Sequence, residues 1–314
     1  MQKLVFFFCL IFSTVQSFSQ DTTIIQVQNL DTNKTILDKF SINQSVTPKK
    51  DTFYFTKPNI LKNLGNVPSD VYGIFKSPFQ GKNWIGLTAV SAATALLILT
   101  DQEATDFVVR NSISMGISQK NAYNSALRIG TANIIKIPQN LNAALYQLGE
   151  GGTSMMIAGG LIIYGKIKND WRAEQTAYDL AETFVTMGVT TQILKRITGR
   201  ESPTDATVNG GKWSPLPSFK EYQNNTPKYD AFPSGHLATM MATVTVLTTD
   251  YPEKKWIKPV GYSLIGLTGL AMMNSKVHWL SDYPLALAIG YLSGKITTMR
   301  NKKQHKPNAR MVVI

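Results

Sequence analysis

Six apolar segments of helical length dominate this 314-residue chain after residue 83. Few stretches alternate strictly between apolar and polar residues, as a half-buried strand would. The segments are Trp84 to Thr100, Gly151 to Tyr164, Ala177 to Leu194, Leu237 to Thr249, Ile257 to Asn274 and Tyr283 to Ile296. The pattern predicts an all-α fold, a helical bundle with about six core helices.

The first 20 residues are typical of a signal peptide. Lys3 precedes an apolar run from Leu4 to Val15, and small or polar residues follow as far as Gln20. The single cysteine, Cys9, lies inside this run. We therefore expect export of the chain, removal of residues 1–20, and no disulfide or thiolate metal site in the mature protein.

The remaining organisation is predicted from composition. Residues 21–75 are polar and indicate an arm or linker, residues 76–300 form one helical domain, and residues 301–314 form a basic tail. The chain carries a net charge of +12, and the segment from Lys295 to Arg310 contains no acidic residue. Such a segment is typical of a solvated end, and contact with an anionic membrane surface is the alternative. We expect no nucleic-acid partner.

The apolar segments are marginal as membrane spans. Ala177 to Leu194 carries Asp179 and Glu182, and other segments fall short of the roughly 20 mainly apolar residues that a span needs. Export followed by six spans would also put the basic segments 166–172 and 254–258 outside, against the positive-inside rule. The sequence favours an exported bundle of the periplasm or cell envelope, soluble or membrane-associated, with an integral membrane protein as the alternative.

Two short motifs contain two of the three histidines. The first, Pro233-Ser234-Gly235-His236, precedes the segment that begins at Leu237, so Ser234 is the expected helix cap. The amides of Ser234, Gly235 and His236 would then face an anion such as phosphate, which a helix N-terminus favours. The alternative is an ordinary capped helix with a buried histidine.

In the second motif, His278 and Asp282 lie four residues apart. On a helix they would share a face, and the carboxylate would accept a proton from one imidazole nitrogen. A nucleophilic histidine needs such a carboxylate and a second proton carrier, which His236 would supply. A plain structural contact between His278 and Asp282 is the alternative.

A third element is basic and follows the segment that ends at Leu194. It contains Lys195, Arg196 and Arg200. Cations at a helix C-terminus are ordinary partners of the helix dipole. Three of them ahead of the Pro-Ser-Gly-His motif favour an anion-binding site.

Together these elements resemble the superfamily of type 2 phosphatidic acid phosphatases, bacterial acid phosphatases and vanadium haloperoxidases, over about Trp84 to Lys295. The first motif of that family is lysine, six residues, then Arg-Pro, and Lys195 and Pro203 match it. The second is Pro-Ser-Gly-His, which is matched in full. The third is Ser-Arg, five residues, histidine, three residues, then aspartate, and its last two members match His278 and Asp282.

Two arginines with which the family grips the phosphoryl oxygens are replaced here. Ser202 stands in place of the first, and Ala271-Met272 stands in place of the Ser-Arg pair. Arg196, Arg200 and Lys276 are the nearby candidates to take over their role.

The resemblance implies a phosphatase that uses no metal and no cofactor. It assigns His278 as nucleophile, Asp282 as the group that orients it, and His236 as the acid for the leaving oxygen. The implied phosphate-binding residues are Lys195, Arg200, Ser234 and Gly235.

The implied substrate is a phosphorylated lipid, a lipid phosphate or diphosphate, or another phosphate ester. Two alternatives remain. One is a weakened or inactive homologue that binds phosphate or lipid without turnover, which Ser202 and Met272 favour. The other is a vanadate-dependent peroxidase with His278 as the vanadium ligand.

Overall fold

The structure, a computed structural model, describes residues 52–55, 57–129, 132–303 and 310–313. The predicted signal peptide and Cys9 lie outside these residues, as do most of the predicted polar arm and much of the predicted basic tail.

Helices make up most of the described residues, which confirms the predicted all-α class. The helices and strands in chain order are β1 Thr52–Phe55, α1 Ile60–Leu64, α2 Val67–Lys76, α3 Trp84–Ile98, α4 Asp101–Ser114, β2 Tyr123–Ile129, β3 Ala132–Pro138, α5 Leu141–Leu148, α6 Gly151–Lys168, α7 Trp171–Thr198, α8 Phe219–Asn224, α9 Gly235–Asp250, α10 Ile257–Asn274, α11 Tyr283–Lys303 and β4 Arg310–Val313. Each of the six predicted segments corresponds to one helix: α3, α6, α7, α9, α10 and α11.

Four strands form two small antiparallel sheets, which the sequence did not predict. β2 pairs with β3, with register shifts near Ser125 and Leu127, and β1 pairs with β4.

The helical unit begins before the predicted boundary at residue 76. That boundary falls inside α2, where Asp70 is buried and pairs with Arg300 of α11. Arg300 also pairs with the buried Glu182 of α7. A carboxylate removed from water needs such a partner, so these ion pairs join α2, α7 and α11 at one end of the bundle.

α9 lies at the centre of the bundle and packs against α7, α10 and α11. Its apolar residues Leu237 and Met241 share one core cluster with Ile265 of α10 and Leu287 of α11. Gly290 permits the close approach of α11, because a Cβ there would lie 2.3 Å from the carbonyl oxygen of Ala238. The N-terminus of α9 is therefore held firmly in position.

α7 ends at a residue that only glycine fits well. Gly199 caps the helix in the left-handed conformation at φ 56°. A Cβ at this position would lie 1.9 Å from the carbonyl oxygen of Ser214. The chain therefore turns sharply after α7, and Lys195 is left in the last helical turn.

Over the described ranges, no single helix combines the length and the apolar composition that crossing a membrane requires. One pair of helical segments, 81–98 and 101–114, meets both requirements together but is bent by 68°.

Candidate active site

The three sequence motifs meet at the N-terminal end of α9, joined by hydrogen bonds to main-chain groups. The Thr198 hydroxyl donates to the carbonyl of Phe232 at 2.9 Å, and the Ala231 amide donates to the carbonyl of Arg200 at 3.1 Å. The Ser234 amide donates to the carbonyl of Asp282 at 3.1 Å. Segments more than 80 residues apart in the chain thus form one continuous site.

His278 is buried, and its ring is held from one side. Its Nδ1 lies 2.7 Å from the carbonyl oxygen of Ala231 and 3.4 Å from Oδ2 of Asp282. A carbonyl oxygen only accepts hydrogen bonds, so Nδ1 carries the proton and Nε2 is the nitrogen with a free lone pair. Nε2 is therefore the ring nitrogen that is available to a ligand.

The predicted contact between His278 and Asp282 is present, but the two residues do not lie on one α-helix. Asp282 ends a 3₁₀ turn, Leu280–Asp282, that precedes α11. Its Oδ2 accepts the amide of Trp279 at 2.8 Å. This turn, rather than the repeat of an α-helix, brings the carboxylate back toward the imidazole.

Arg200 lies behind the carboxylate of Asp282 and is fully buried. Its guanidinium donates to Asp282 at 2.7 Å, Asp101 at 2.6 Å, Ser281 at 2.6 Å and the carbonyl of Gly210 at 2.6 and 3.2 Å. These contacts engage all five of its N–H groups. The role of phosphate ligand predicted for Arg200 does not fit this geometry, in which Arg200 is a partner of the Asp282 carboxylate.

Burial shifts the ionisation of the site. It raises the pKa of Asp282 to about 6, although Arg200 opposes the rise. Burial and the Lys195 cation lower the pKa of His278 to about 3. Burial, followed by His278 and Lys195, lowers the pKa of His236 to about 3. Both imidazoles are consequently neutral near pH 7 in the ligand-free protein.

His236 faces His278 across the site. The two ring centroids are 6.0 Å apart and the ring planes are inclined by 70°. The edge of the Tyr146 ring packs on His236 at 4.6 Å. Behind it, a Cβ added to Gly149 would lie 2.8 Å from Cβ of His236, so the end of α5 also supports this ring.

Lys195 is the basic group nearest to the start of α9 that the described contacts identify. Its Nζ would lie 3.7 Å from a Cβ added to Gly235, and it donates to Oδ2 of Asp230 at 2.6 Å. The hydroxyl of Tyr222 donates to the other oxygen of Asp230. Asp230 therefore balances the lysine charge where an anion would bind.

Ser234 has a structural role at this helix end. Its hydroxyl accepts the Leu237 amide, which confirms the predicted cap, and its own amide is engaged by Asp282. The Ser234 amide is thus not directed at an anion, contrary to the prediction. The amides of Gly235 and His236 have no intrahelical acceptor at this position, so they are the pair that is open to an anion.

No group of three or more His, Cys, Asp or Glu side chains in the described part of the chain could hold a metal ion.

Comparison with known proteins identifies the region that contains these motifs. Residues 176–306 match the family model of the PAP2 superfamily. We call this matched stretch, residues 176–306, the PAP2 region. All three motifs fall inside this PAP2 region.

A lipid A 1-phosphatase of Porphyromonas gingivalis is 31% identical over 90 residues, which are 28% of this chain and 19% of that protein. The chain thus aligns with about a fifth of the length of this relative. A second match is the crystal structure of a transmembrane PAP2 type phosphatidylglycerolphosphate phosphatase from Bacillus subtilis. The match covers 70% of this chain and 98% of the chain in that crystal structure, with 16% sequence identity and a TM-score of 0.42.

The two replaced arginines leave neutral residues in the PAP2 region. Met272 is fully buried, and its sulfur lies 3.8 Å from the Ser234 hydroxyl. Ser202 is buried, and its hydroxyl has no hydrogen-bond partner among the described residues. Lys276 is exposed, and its carbonyl accepts from the amide and hydroxyl of Thr204.

Arg196 is the nearby cation with a donor to spare. Its guanidinium stacks on Tyr222 at 3.7 Å, and its buried Nε has no hydrogen-bond partner within the described ranges. Tyr222 donates to Asp230, and Asp230 is the partner of Lys195, so Arg196 lies next to the Lys195 and Asp230 pair.

Three members of the site are missing from the sequence prediction. Asp101 accepts from Arg200, Asp230 accepts from Lys195, and the carbonyl of Ala231 holds His278. Asp230 gives one usable signal, because it is a charged residue three positions before the Pro-Ser-Gly-His motif. Asp101 is an ordinary acid in the first turn of α4, and a carbonyl has no sequence signature.

Proposed function

We propose that this protein is a phosphatase that hydrolyses a phosphate monoester of a lipid through a phosphohistidine intermediate on His278. The observation that carries the proposal is the pair of imidazoles, with ring centroids 6.0 Å apart, at the start of α9. The hydrogen bond from Nδ1 of His278 to Ala231 leaves Nε2 free. Both rings are close enough to reach a single phosphate group.

In the first step, Nε2 of His278 attacks phosphorus and the bond from phosphorus to the ester oxygen breaks. His236 gives its proton to that oxygen, so the leaving group departs as an alcohol. In the second step, water attacks phosphorus, His236 takes up a proton from the water, and the bond between phosphorus and Nε2 breaks. Phosphate is released and both imidazoles regain their starting states.

His236 must carry a proton in the first step, although its pKa is lowered to about 3 in the free protein. The bound phosphate supplies the missing negative charge, which stabilises the imidazolium form and raises this pKa. Asp282, supported by Arg200, stabilises the positive charge that develops on His278.

Lys195 and the amides of Gly235 and His236 are the groups that we assign to the equatorial oxygens of the transition state. Lys195 pairs with Asp230 in the free protein. Binding of a phosphate therefore requires Lys195 to be shared between the ligand and Asp230, and Arg196 is the second cation that we assign to this side of the site.

We also propose that the protein works in the cell envelope, at a membrane surface. The predicted signal peptide supports export. Large apolar side chains are exposed on two helices, Leu96 at 62% and Leu99 at 80% near the end of α3, and Met156 at 71% and Ile167 at 71% on α6. We take these exposed apolar side chains as support for contact with a membrane surface.

The test is release of inorganic phosphate by the purified full-length protein from a water-soluble monoester and from a lipid phosphate. The His278→Ala variant should release none. His305→Ala, outside the three motifs and outside the described residues, is the matched substitution and should keep the activity. Activity of His278→Ala equal to wild type would overturn the assignment.

A second readout identifies the intermediate. Rapid acid-free quenching followed by mass spectrometry should find one phosphoryl group on the peptide that contains His278. The Asp282→Asn variant should accumulate less of it, because the neutral amide stabilises the developing imidazolium less well.

A second candidate function is binding of phosphate or lipid phosphate without turnover. Met272 favours it, because a fully buried apolar side chain occupies a position where the family has a charged one. Calorimetry that detects phosphate binding, together with no hydrolysis of a broad panel of esters, would favour this candidate over the phosphatase.

A further inference from the structure

An apolar groove runs along α9 away from the candidate active site. Its volume is about 520 Å³, within the range of small-molecule sites in proteins. α9 contributes Met240, Val244 and Leu247 to one wall, α6 contributes Ile157, and α10 contributes Leu264. No residue of the three sequence motifs lines it.

The groove continues the face of α9 on which His236 lies. Met240, Val244 and Leu247 follow His236 at intervals of four, four and three residues, which is the spacing of one helix face. From His236 to Leu247 the helix rises by about 16 Å. A ligand whose phosphate lies at His236 therefore meets the groove one turn further along the same helix.

The end of α5 joins the two regions on the other side. Leu148 lines the groove, and the next residue, Gly149, packs against the Cβ of His236. The groove and the candidate active site are thus adjacent along both α5 and α9.

Two hydroxyls that line the groove already have hydrogen-bond partners. The hydroxyls of Ser154 and Thr243 bond to each other at 2.6 Å, and Thr243 also donates to the carbonyl of Thr239 at 2.9 Å. A ligand gains no hydrogen bond from them, so the groove favours an apolar one. At the far end Trp256 and Val260 are exposed at 62% and 47%, so apolar surface faces the solvent at its mouth.

From this continuity we infer that the groove between α6, α9 and α10 holds the alkyl chain of a phosphate monoester whose phosphate lies between His236 and His278. This inference rests on the proposed function, because it takes the position of the phosphate from it. It assigns the substrate class as single long-chain alkyl or acyl phosphates, with the chain extending from the site toward Trp256.

The kinetic test compares decyl phosphate with ethyl phosphate below the concentration at which micelles form. Wild type should prefer decyl phosphate in kcat/KM. The double variant Ile157→Phe/Val260→Phe fills the groove and should lower the ratio of decyl to ethyl kcat/KM by at least about tenfold, the loss expected when about two methylenes stay in water.

The matched control is Ile163→Phe/Leu267→Phe, which places the same side chains on α6 and α10 at exposed positions outside the groove. It should leave the ratio of decyl to ethyl kcat/KM unchanged. Thermal unfolding of each variant checks the fold, and the single substitutions serve if a double variant does not fold. Equal effects of the two double variants, or no chain preference in wild type, would overturn the inference.

A binding test separates the groove from the chemistry. Decyl phosphate with bromine in the middle of the chain should quench the fluorescence of Trp256, and Trp256→Phe should remove this part of the quenching. Hydrolysis of ethyl phosphate without this quenching would refute the groove and leave the phosphatase intact. Quenching without any hydrolysis would refute the phosphatase and support the groove.

Discussion

Replacing Arg200 with methionine tests the buried ion pairs behind His278. The substitution keeps an unbranched side chain in the core but removes the charge that faces Asp101 and Asp282, both fully buried. Removing one partner of a buried ion pair costs about 3–5 kcal/mol, because the other charge is left unpaired. Two carboxyls lose their partner, but each limits the loss by taking up a proton, so we expect the free energy of unfolding to fall by about 4 kcal/mol near pH 8.

The loss should depend on pH in a definite direction. Burial raises the pKa of Asp282 to about 6 against the opposing effect of Arg200, so removing Arg200 raises it further. A native pKa above the unfolded value contributes stability at low pH, and this contribution is lost as pH rises through the native pKa. The difference in free energy of unfolding between wild type and Arg200→Met should therefore widen as pH rises above about 6.

Urea unfolding at about pH 5 and about pH 8 measures this difference directly. The matched control is Lys136→Met, which breaks a partly exposed contact to Glu150 at 3.7 Å. Such a pair contributes less than about 1 kcal/mol. If Arg200→Met and Lys136→Met lowered the free energy of unfolding equally near pH 8, the assignment of a buried Arg200 network would be wrong.

Three further changes have defined outcomes. Gly199→Ala should lower the free energy of unfolding by at least about 2 kcal/mol, because the added Cβ meets a carbonyl at a left-handed turn. The control Gly81→Ala, at φ 55° with open space around it, should lower it by about 1 kcal/mol in the same urea assay. Phosphate binding near pH 6 should take up a proton on His236, measured by calorimetry in buffers of different ionisation enthalpy; no uptake would contradict its role as acid. Lys195→Met should lower kcat/KM for the soluble monoester by at least about tenfold through loss of a charged hydrogen bond, and an unchanged value would remove Lys195 from the site.

The helical framework follows from the sequence because the long apolar segments must be buried, and a shared core buries them together. α9 illustrates this: its residues from Leu237 to Val246 are almost all buried, and a segment with so little polar surface is readily recognised as a core helix. The predicted boundary at residue 76 divides α2, because the contact that holds α2 to the bundle is not local. α2 is anchored by the ion pair between Asp70 and Arg300, and a pairing over 230 residues leaves no local pattern.

The candidate site also has parts that the sequence predicts and parts that it does not. His236, His278 and Lys195 were predicted because family motifs preserve their spacing, and the structure brings them together. The role predicted for Arg200 does not fit its contacts, since spacing indicates that a cation is near but not which way its guanidinium points. Asp101 was not predicted, because its contact with Arg200 depends on how α4 packs against the 3₁₀ turn before α11.

The main-chain anchors of the site have a consequence for how this protein can change. Every amino acid presents the same carbonyl and amide, so the bonds through Ala231, Phe232 and Asp282 survive substitution of the residues that supply those groups. Substitution of a neighbouring side chain therefore leaves the bonds that position the two imidazoles in place. Ser202 and Met272 supply none of these three bonds, so a substitution at either position changes the side chains around the site without removing its main-chain anchors.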